Sequence, residues 1–160
     1  MAGKAEQSAK EPTIENRKAR HEYHVEETLE VGIKLTGTEI KSVRNGQVSL
    51  AEGYARVTEK PPALALHGVH IAEYPPADPR RQHAPTRVRT LLAHAREIRK
   101  LASRLNDRGT TLIPLKVYFV RGRAKLLLGV ARGKKMADKR QDIARKEARR
   151  DIERAMSRRR

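Results

Sequence analysis

The sequence predicts a mainly β chain: an OB-type Greek-key barrel with one short helix, one longer helix and a basic C-terminal tail. Three observations predict it. Apolar residues alternate with polar ones over several segments separated by Gly and Pro, the pattern of short strands joined by turns. One long stretch carries a helical period instead. Residues 132–160 hold 13 Lys+Arg against 5 Asp+Glu, with too few apolar side chains to build a core. A chain of 160 residues suits one domain plus extensions. The expected division is a disordered lead at 1–17, a barrel at 18–131 and a tail at 132–160.

The lead is polar and pattern-free. Alternation then places Tyr23, Val25, Leu29, Val31, Ile33 and Leu35 on one face of a long strand, with Gly32 as its bend. Thr36 and Glu39 are spaced as a capping box, so a two-turn helix starts there, with Ile40 and Val43 inward and Asn45-Gly46 as its stop. Strands are expected at Leu50–Val57 and Leu64–Ile71, joined by Lys60-Pro61-Pro62. The apolar phase changes at Gly68, which predicts a bulge. Pro75–Pro85 reads as a loop. From Thr86 to Arg108 the period turns helical: Leu91, Ala95, Ile98, Ala102 and Leu105, widened by Leu92 and Leu101 and stopped by Gly109. Two strands, Leu112–Val120 and Arg123–Ala131, close the body through an Arg121-Gly122 hairpin. These strands, curved at glycines and interrupted by a helix, fit a small closed barrel better than a sandwich.

The net charge of +17 favours a polyanionic partner. Cysteine is absent, which removes disulfides and thiolate metal sites and fits a reducing, cytoplasmic setting. No apolar run is long enough to span a bilayer, and the N-terminus lacks a signal core. The spacing of His21 with His24, and of His67 with His70, points the two rings to opposite faces of a strand and gives no metal site. No phosphate-binding loop, serine elbow or cysteine nucleophile is present, so the reading contains no catalytic residue, metal or cofactor. Four Tyr, one Phe and no Trp make a poor stacking platform, which directs the reading to structured RNA recognised through shape and phosphates.

Glu39, Lys41 and Arg44 share the short helix and are candidate RNA contacts. Glu39 has two roles open to it: a capping carboxylate, or an acceptor for base edges. In the tail, Ala144, Ala148, Ile152 and Met156 recur every four residues. Two of these four are Ala, so the stripe is too thin to offset ordering entropy. The tail is therefore expected to be unfolded when free and helical against a polyanion, with steep salt dependence.

The stretch TGTEIKSVRNG resembles the SmpB (small protein B) family of bacterial tmRNA-binding proteins. NRKARHEYHVEET, GYARV, LLAHAREI, TLIPLKVYF and GVARGKKMADKR agree with it in family order, from about residue 16 to 156. The resemblance implies an OB-fold barrel that binds the tRNA-like part of tmRNA, assists its charging by alanyl-tRNA synthetase, and travels with elongation factor Tu to stalled ribosomes. The tail would enter the decoding centre and the empty messenger channel and become helical there. The resemblance further implies that Glu39 contacts RNA, and that Leu92 and His94 stand where the family has a Leu-Asn pair for tmRNA. Here His94 replaces the Asn, and Ala93 stands where the family has Leu. Gly133, Lys134 and Lys135 match a Gly-Lys-Lys at the barrel exit, counted with the RNA contacts. Asp138, Lys139 and Arg140 match the residues of ribosomal accommodation. Ala137 stands where some members carry a stacking His.

Overall fold

Alternation in the sequence becomes a closed ring of strands in the computed structural model, which describes residues 11–158. In chain order the elements are β1 (Ile14–Glu15), α1 (Arg17–Glu22), β2 (Tyr23–Ile33), α2 (Gly37–Arg44), β3 (Val48–Ser49), β4 (Tyr54–Glu59), β5 (Pro62–His67), β6 (His70–Ile71), β7 (Arg89–Leu92), α3 (Ala95–Leu105), β8 (Thr110–Val120), β9 (Arg123–Gly133) and α4 (Met136–Ser157). The ring runs β2–β7–β5–β4–β8–β9 and returns to β2, all antiparallel. Closure removes the exposed edges that a six-stranded sheet would otherwise carry. β1 extends β8 at Ile14↔Val117, and β3 with β6 forms a separate two-stranded ribbon.

The interior is aliphatic. Val31, Leu64, Leu66, Leu91, Leu112, Leu126, Leu128 and Val130 are all at most 2% exposed. α3 lays Ile98 and Leu101 into this core across β4, β5 and β8. A smaller cluster lies outside the ring, where Ala19 of α1 meets Ile113, Leu115 and Ala131. The apolar residues of β8 are therefore divided between two sides. Leu112 and Val117 point into the barrel, whereas Ile113 and Leu115 point to α1. The register slips between Pro114 and Lys116, and one extra residue in a strand exchanges its faces. A second slip, between Val25 and Glu27, leaves Val25 38% exposed despite its place in the alternation.

Four sequence expectations change. The helix expected from Thr86 begins only at Ala95; Arg89–Leu92 is a strand paired with both β2 and β5. Arg89 and Leu91 point inward there, so the alternation was hidden behind a charged residue that is itself buried. The strand expected from Leu50 starts at Tyr54. Gly68, with φ of +70°, is not a bulge but the corner at which the chain leaves the barrel for the β3–β6 ribbon; a Cβ there would lie 2.3 Å from the Glu52 carbonyl oxygen. The lead expected to be disordered through residue 17 instead contains β1 and the start of α1, while its residues 1–10 lie outside the described residues.

Asn16 joins this lead to the barrel. Its Nδ2 donates to the carbonyls of Leu50 (3.0 Å) and Pro114 (2.8 Å), and its Oδ1 accepts from the Ala19 amide (3.1 Å). It caps α1 and satisfies two buried carbonyls at once. Asn16→Ala removes all three bonds, at a cost of about 2–3 kcal/mol. A thermal melt is expected to show Tm lowered by roughly 5–10 °C; an unchanged Tm would contradict this role.

Candidate nucleic-acid interface

The capping box predicted at Thr36 forms. The Glu39 carboxylate accepts from the Thr36 amide at 2.8 Å, and Thr36 Oγ1 accepts from the Glu39 amide at 3.5 Å. The same carboxylate does more. Oε1 accepts from Arg89 Nε (2.8 Å) and Arg87 Nε (3.1 Å), and Oε2 accepts from Arg87 Nη2 (2.6 Å). The Glu39 and Arg89 side chains are both 0% exposed, whereas Arg87 keeps 36% of its side chain in solvent. Each nitrogen of Arg89 has a partner, since it donates also to the carbonyls of Val69 (2.6 Å) and Pro85 (2.9 Å). Burial alone would push the Glu39 carboxyl up. Hydrogen bonds from Arg87, the Thr36 amide and Arg89 outweigh it and hold the group down at about 2. Burial pulls Arg89 down and Glu39 pushes Arg87 up, yet both guanidiniums stay charged.

Glu39 thus has no lone pair aimed at solvent and does not reach a base edge in this arrangement. What it presents is Arg87, oriented by a bidentate pair. Arg87 and Arg89 were not singled out in the sequence, because their partner lies about fifty positions away. A second strut is His83, 6% exposed. Its Nε2 donates to the Ile71 carbonyl (3.0 Å), which leaves Nδ1 to accept from Thr38 (2.8 Å) at the start of α2.

The other candidates fall into three places. Lys41 and Arg44 are exposed on the outer side of α2, Lys41 5.2 Å from the Tyr74 ring centroid and Arg44 5.8 Å from that of Phe119. Leu92, 56% exposed, shares a cleft of about 310 Å³ with Leu35 and Ile40, rimmed by Arg123 and Lys125 of the β8–β9 hairpin. This apolar floor with a basic rim adjoins the Glu39 cluster through α2. His94 is the exposed N-cap of α3, its amide donating to Glu97 at 3.0 Å, so it is not inside a helix as the sequence pattern implied. Gly133, Lys134, Lys135, Asp138, Lys139 and Arg140 stand apart, at the exit of β9 and the first turn of α4. Lys134 is turned inward, with its side chain 9% exposed, and pairs with Asp142 at 2.5 Å.

The remaining rings are engaged. Tyr54 stacks on His67 (5.3 Å, 12°), and Tyr118 lies beneath Lys116 while donating to Glu30. The surface around α2 therefore offers cations and, at Leu92, a cleft with apolar side chains in its floor. Among the described residues no group of three His, Cys, Asp or Glu could hold a metal ion, and no helix is long and apolar enough to cross a membrane.

Glu39→Gln keeps the shape and removes the charge, stranding Arg89. The cost is about 3–5 kcal/mol, read as a Tm fall of roughly 10 °C at pH 7. The lowered carboxyl of Glu39 contributes about 3 kcal/mol above its unfolded value. That contribution is present above about pH 4.5 and is lost as pH falls through about 2. The Tm gap between native chain and variant should therefore close on acidification; a gap constant from pH 7 to 2 would contradict the pairing.

The family model described as SmpB protein matches residues 13–158. An SsrA-binding protein of Roseiflexus sp. (strain RS-1) is 54% identical over 145 residues, covering 91% of this chain and 90% of the relative. Those of Chloroflexus aurantiacus (strain ATCC 29366 / DSM 635 / J-10-fl) and Listeria welshimeri are 54% and 50% identical, each covering at least 90% of this chain and at least 89% of the relative. Among solved structures, a chain of one described as "tmRNA-SmpB: a journey to the center of the bacterial ribosome" superposes with a TM-score of 0.66 at 46% identity, over 78% of this chain and 86% of that one. With a closed barrel, a basic tail and a match across nearly all of its length, this chain belongs to the SmpB protein family.

Proposed function

We propose that this chain is a non-catalytic adaptor of trans-translation. Its barrel binds the tRNA-like part of tmRNA, and its tail enters the decoding centre and vacant messenger channel of a stalled bacterial ribosome. The observation that carries this reading is α4. It runs for 22 residues and buries none of them, leaving Ile152 60% and Met156 69% exposed. A helix with that surface gains little from the body it leaves, so its stability must come from elsewhere. Its cations supply the means, since RNA phosphates neutralise them and release counterions.

In this reading Arg87, Lys41, Arg44, Leu92, His94 and Lys135 meet tmRNA, with Glu39 as the group that orients Arg87. Asp138, Lys139 and Arg140 serve the ribosome. The barrel at 18–131 and the tail at 132–160 act as separate modules, the tail beyond its bonded root unfolded in the free protein and helical on RNA. Alanyl-tRNA synthetase and elongation factor Tu join through the tmRNA complex, in the cytoplasm.

Truncation after Gly133 should leave most of the barrel's tmRNA affinity in place at fixed salt, the loss being confined to Lys135 and any phosphates held by the tail, while peptide tagging disappears. Equal loss of both would refute the division of labour. The difference between far-ultraviolet spectra of the full and truncated chains should lack helix minima in buffer. A helical difference without RNA would refute folding on binding.

Arg87→Ala should weaken tmRNA binding at moderate salt by more than its melting loss accounts for. It strips two hydrogen bonds from buried Glu39, so Tm also falls, but less than in Glu39→Gln because Arg89 still compensates the charge. A melt shift with unchanged affinity would assign Arg87 to the fold alone. Competition with bulk tRNA in the same assay separates specific from general phosphate binding.

A further inference from the structure

The face of α4 that meets the body is unusual in charge. Taking 100° per residue, Lys139, Lys146 and Arg150 fall within an arc of about 40°. The apolar stripe of Ala144, Ala148, Ile152 and Met156 lies on the other side. So the helix turns Lys146 and Arg150 toward α1, with Ile143 as the one apolar side chain among them. Across from Lys146 and Arg150 stand Arg17, Arg20 and His21 of α1, and together they wall a cleft of about 340 Å³. Two acids line it, Asp142 and Glu147. Asp142 is already taken by Lys134, and Arg20 reaches only Glu15, at 3.9 Å. Within the described residues Arg17, Lys146 and Arg150 make no ion pair at all.

Like charges facing one another across a concave surface oppose each other. Something must hold these walls together, and the contacts at the root of the tail do so. Lys134 donates through Nζ to the Arg20 carbonyl (3.1 Å) and Asp142 (2.5 Å), and through its amide to the Glu22 carbonyl (2.8 Å). Asp142 is held low by this hydrogen bond. His24 Nε2 lies 3.6 Å from Asp138 one turn earlier. These bonds seat the base of α4 against α1 without filling the cleft between them.

We propose that the cleft between α1 and the base of α4 is a second anion site, shaped for consecutive phosphates of an RNA strand. Lys134 is its positioning residue, acting from within by fixing the second wall. The inference rests on the adaptor reading above for the identity of the RNA. Paired guanidiniums with an open approach suit bidentate phosphate recognition. The cleft offers one apolar side chain, Ile143, and no aromatic to anchor a peptide. An RNA strand lying there supplies the missing counter-charge and bridges the two helices beyond the root that Lys134 already holds.

The test is a double-mutant cycle in the full chain. One wall is Arg17→Ala/Arg20→Ala, the other Lys146→Ala/Arg150→Ala, and the quadruple variant joins them. Affinity is measured at three salt concentrations for two probes: the isolated tRNA-like domain of tmRNA, and ribosomes with a vacated messenger channel. On the probe whose strand enters the cleft, each double variant should flatten the plot of log affinity against log salt by about 1–2. The quadruple variant should lose less than the sum of the two, because a phosphate held by both walls is lost when either goes. Coupling on the first probe assigns the strand to tmRNA, and coupling on the second assigns it to ribosomal RNA.

Additive losses, or unchanged slopes, on both probes would overturn the cleft. So would competition by poly-glutamate equal to that by RNA at matched charge. Lys134→Ala should abolish the coupling, and Lys134→Arg, which keeps a cationic donor for the Arg20 carbonyl and Asp142, should restore it. Failure of that rescue would overturn the positioning role. If the native chain prefers neither probe over bulk tRNA, the adaptor reading fails. Coupling measured on bulk tRNA would then still establish the cleft.

Discussion

A carboxylate and a guanidinium have been taken completely out of water between Glu39 and Arg89, and much of the geometry follows from that. Removing two ions from solvent costs more than their attraction returns unless every remaining donor and acceptor is used. Here they are used. Glu39 accepts from Thr36, Arg87 and Arg89, and Arg89 also donates to Val69 and Pro85. One ionic centre thereby ties the start of α2, the chain just after β5, the end of the long loop and strand β7 into a single arrangement. An aliphatic cluster of the same volume could hold these segments together, but it would not fix their angles. The ionic pair does, and it leaves Arg87 as its one outward arm.

The outer layer obeys a different logic. The barrel is closed and its core is filled by aliphatic side chains, so α1 has no place inside it. It sits on the outside of β8 and β9, over the small cluster of Ala19, Ile113, Leu115 and Ala131. That cluster exists only because β8 slips register at Leu115 and turns two apolar residues outward. The bulge, Asn16 and α1 are thus one device. It creates a platform beside the end of β9, where the tail begins, and Lys134 reaches back to that platform's backbone.

Legibility in the sequence followed the range of the interaction. β2, β8 and β9 were readable because their apolar alternation is local and long. The α2 capping box was readable because Thr36 and Glu39 are three residues apart. β7 was misread as helix because its alternation begins with an arginine, and a charged residue counts as surface until its partner is known. That partner, Glu39, lies in another element, and no local pattern links them. α1 was missed for a related reason: six residues with one buried side chain, Ala19, carry no periodicity. Its signal was Asn16, a capping residue before a basic run. In the site, Leu92 stands out as an exposed apolar residue beside α2, as a binding role requires. The direct base contact considered for Glu39 finds no support in its buried position, although a role in RNA binding through Arg87 keeps its physical basis.

The distribution of charge explains how a protein with a net charge of +17 holds a fold and still binds. The barrel's acids are spent on neighbours: Glu26 on Arg104 and Arg132, Glu27 on Lys100, Glu30 on Lys125, Glu52 on Lys18. Each such surface pair adds little stability. Together, however, they neutralise acids of β2 and join α3 to β2 and β9 at the mouth of the tail. Few acids are left for the cations of α1 and α4. Repulsion among those cations is tolerable because it falls on exposed helices, where water and salt screen it, and not on the core. The excess charge is therefore held where the fold is weakest in packing, and a polyanion bound there would relieve that repulsion.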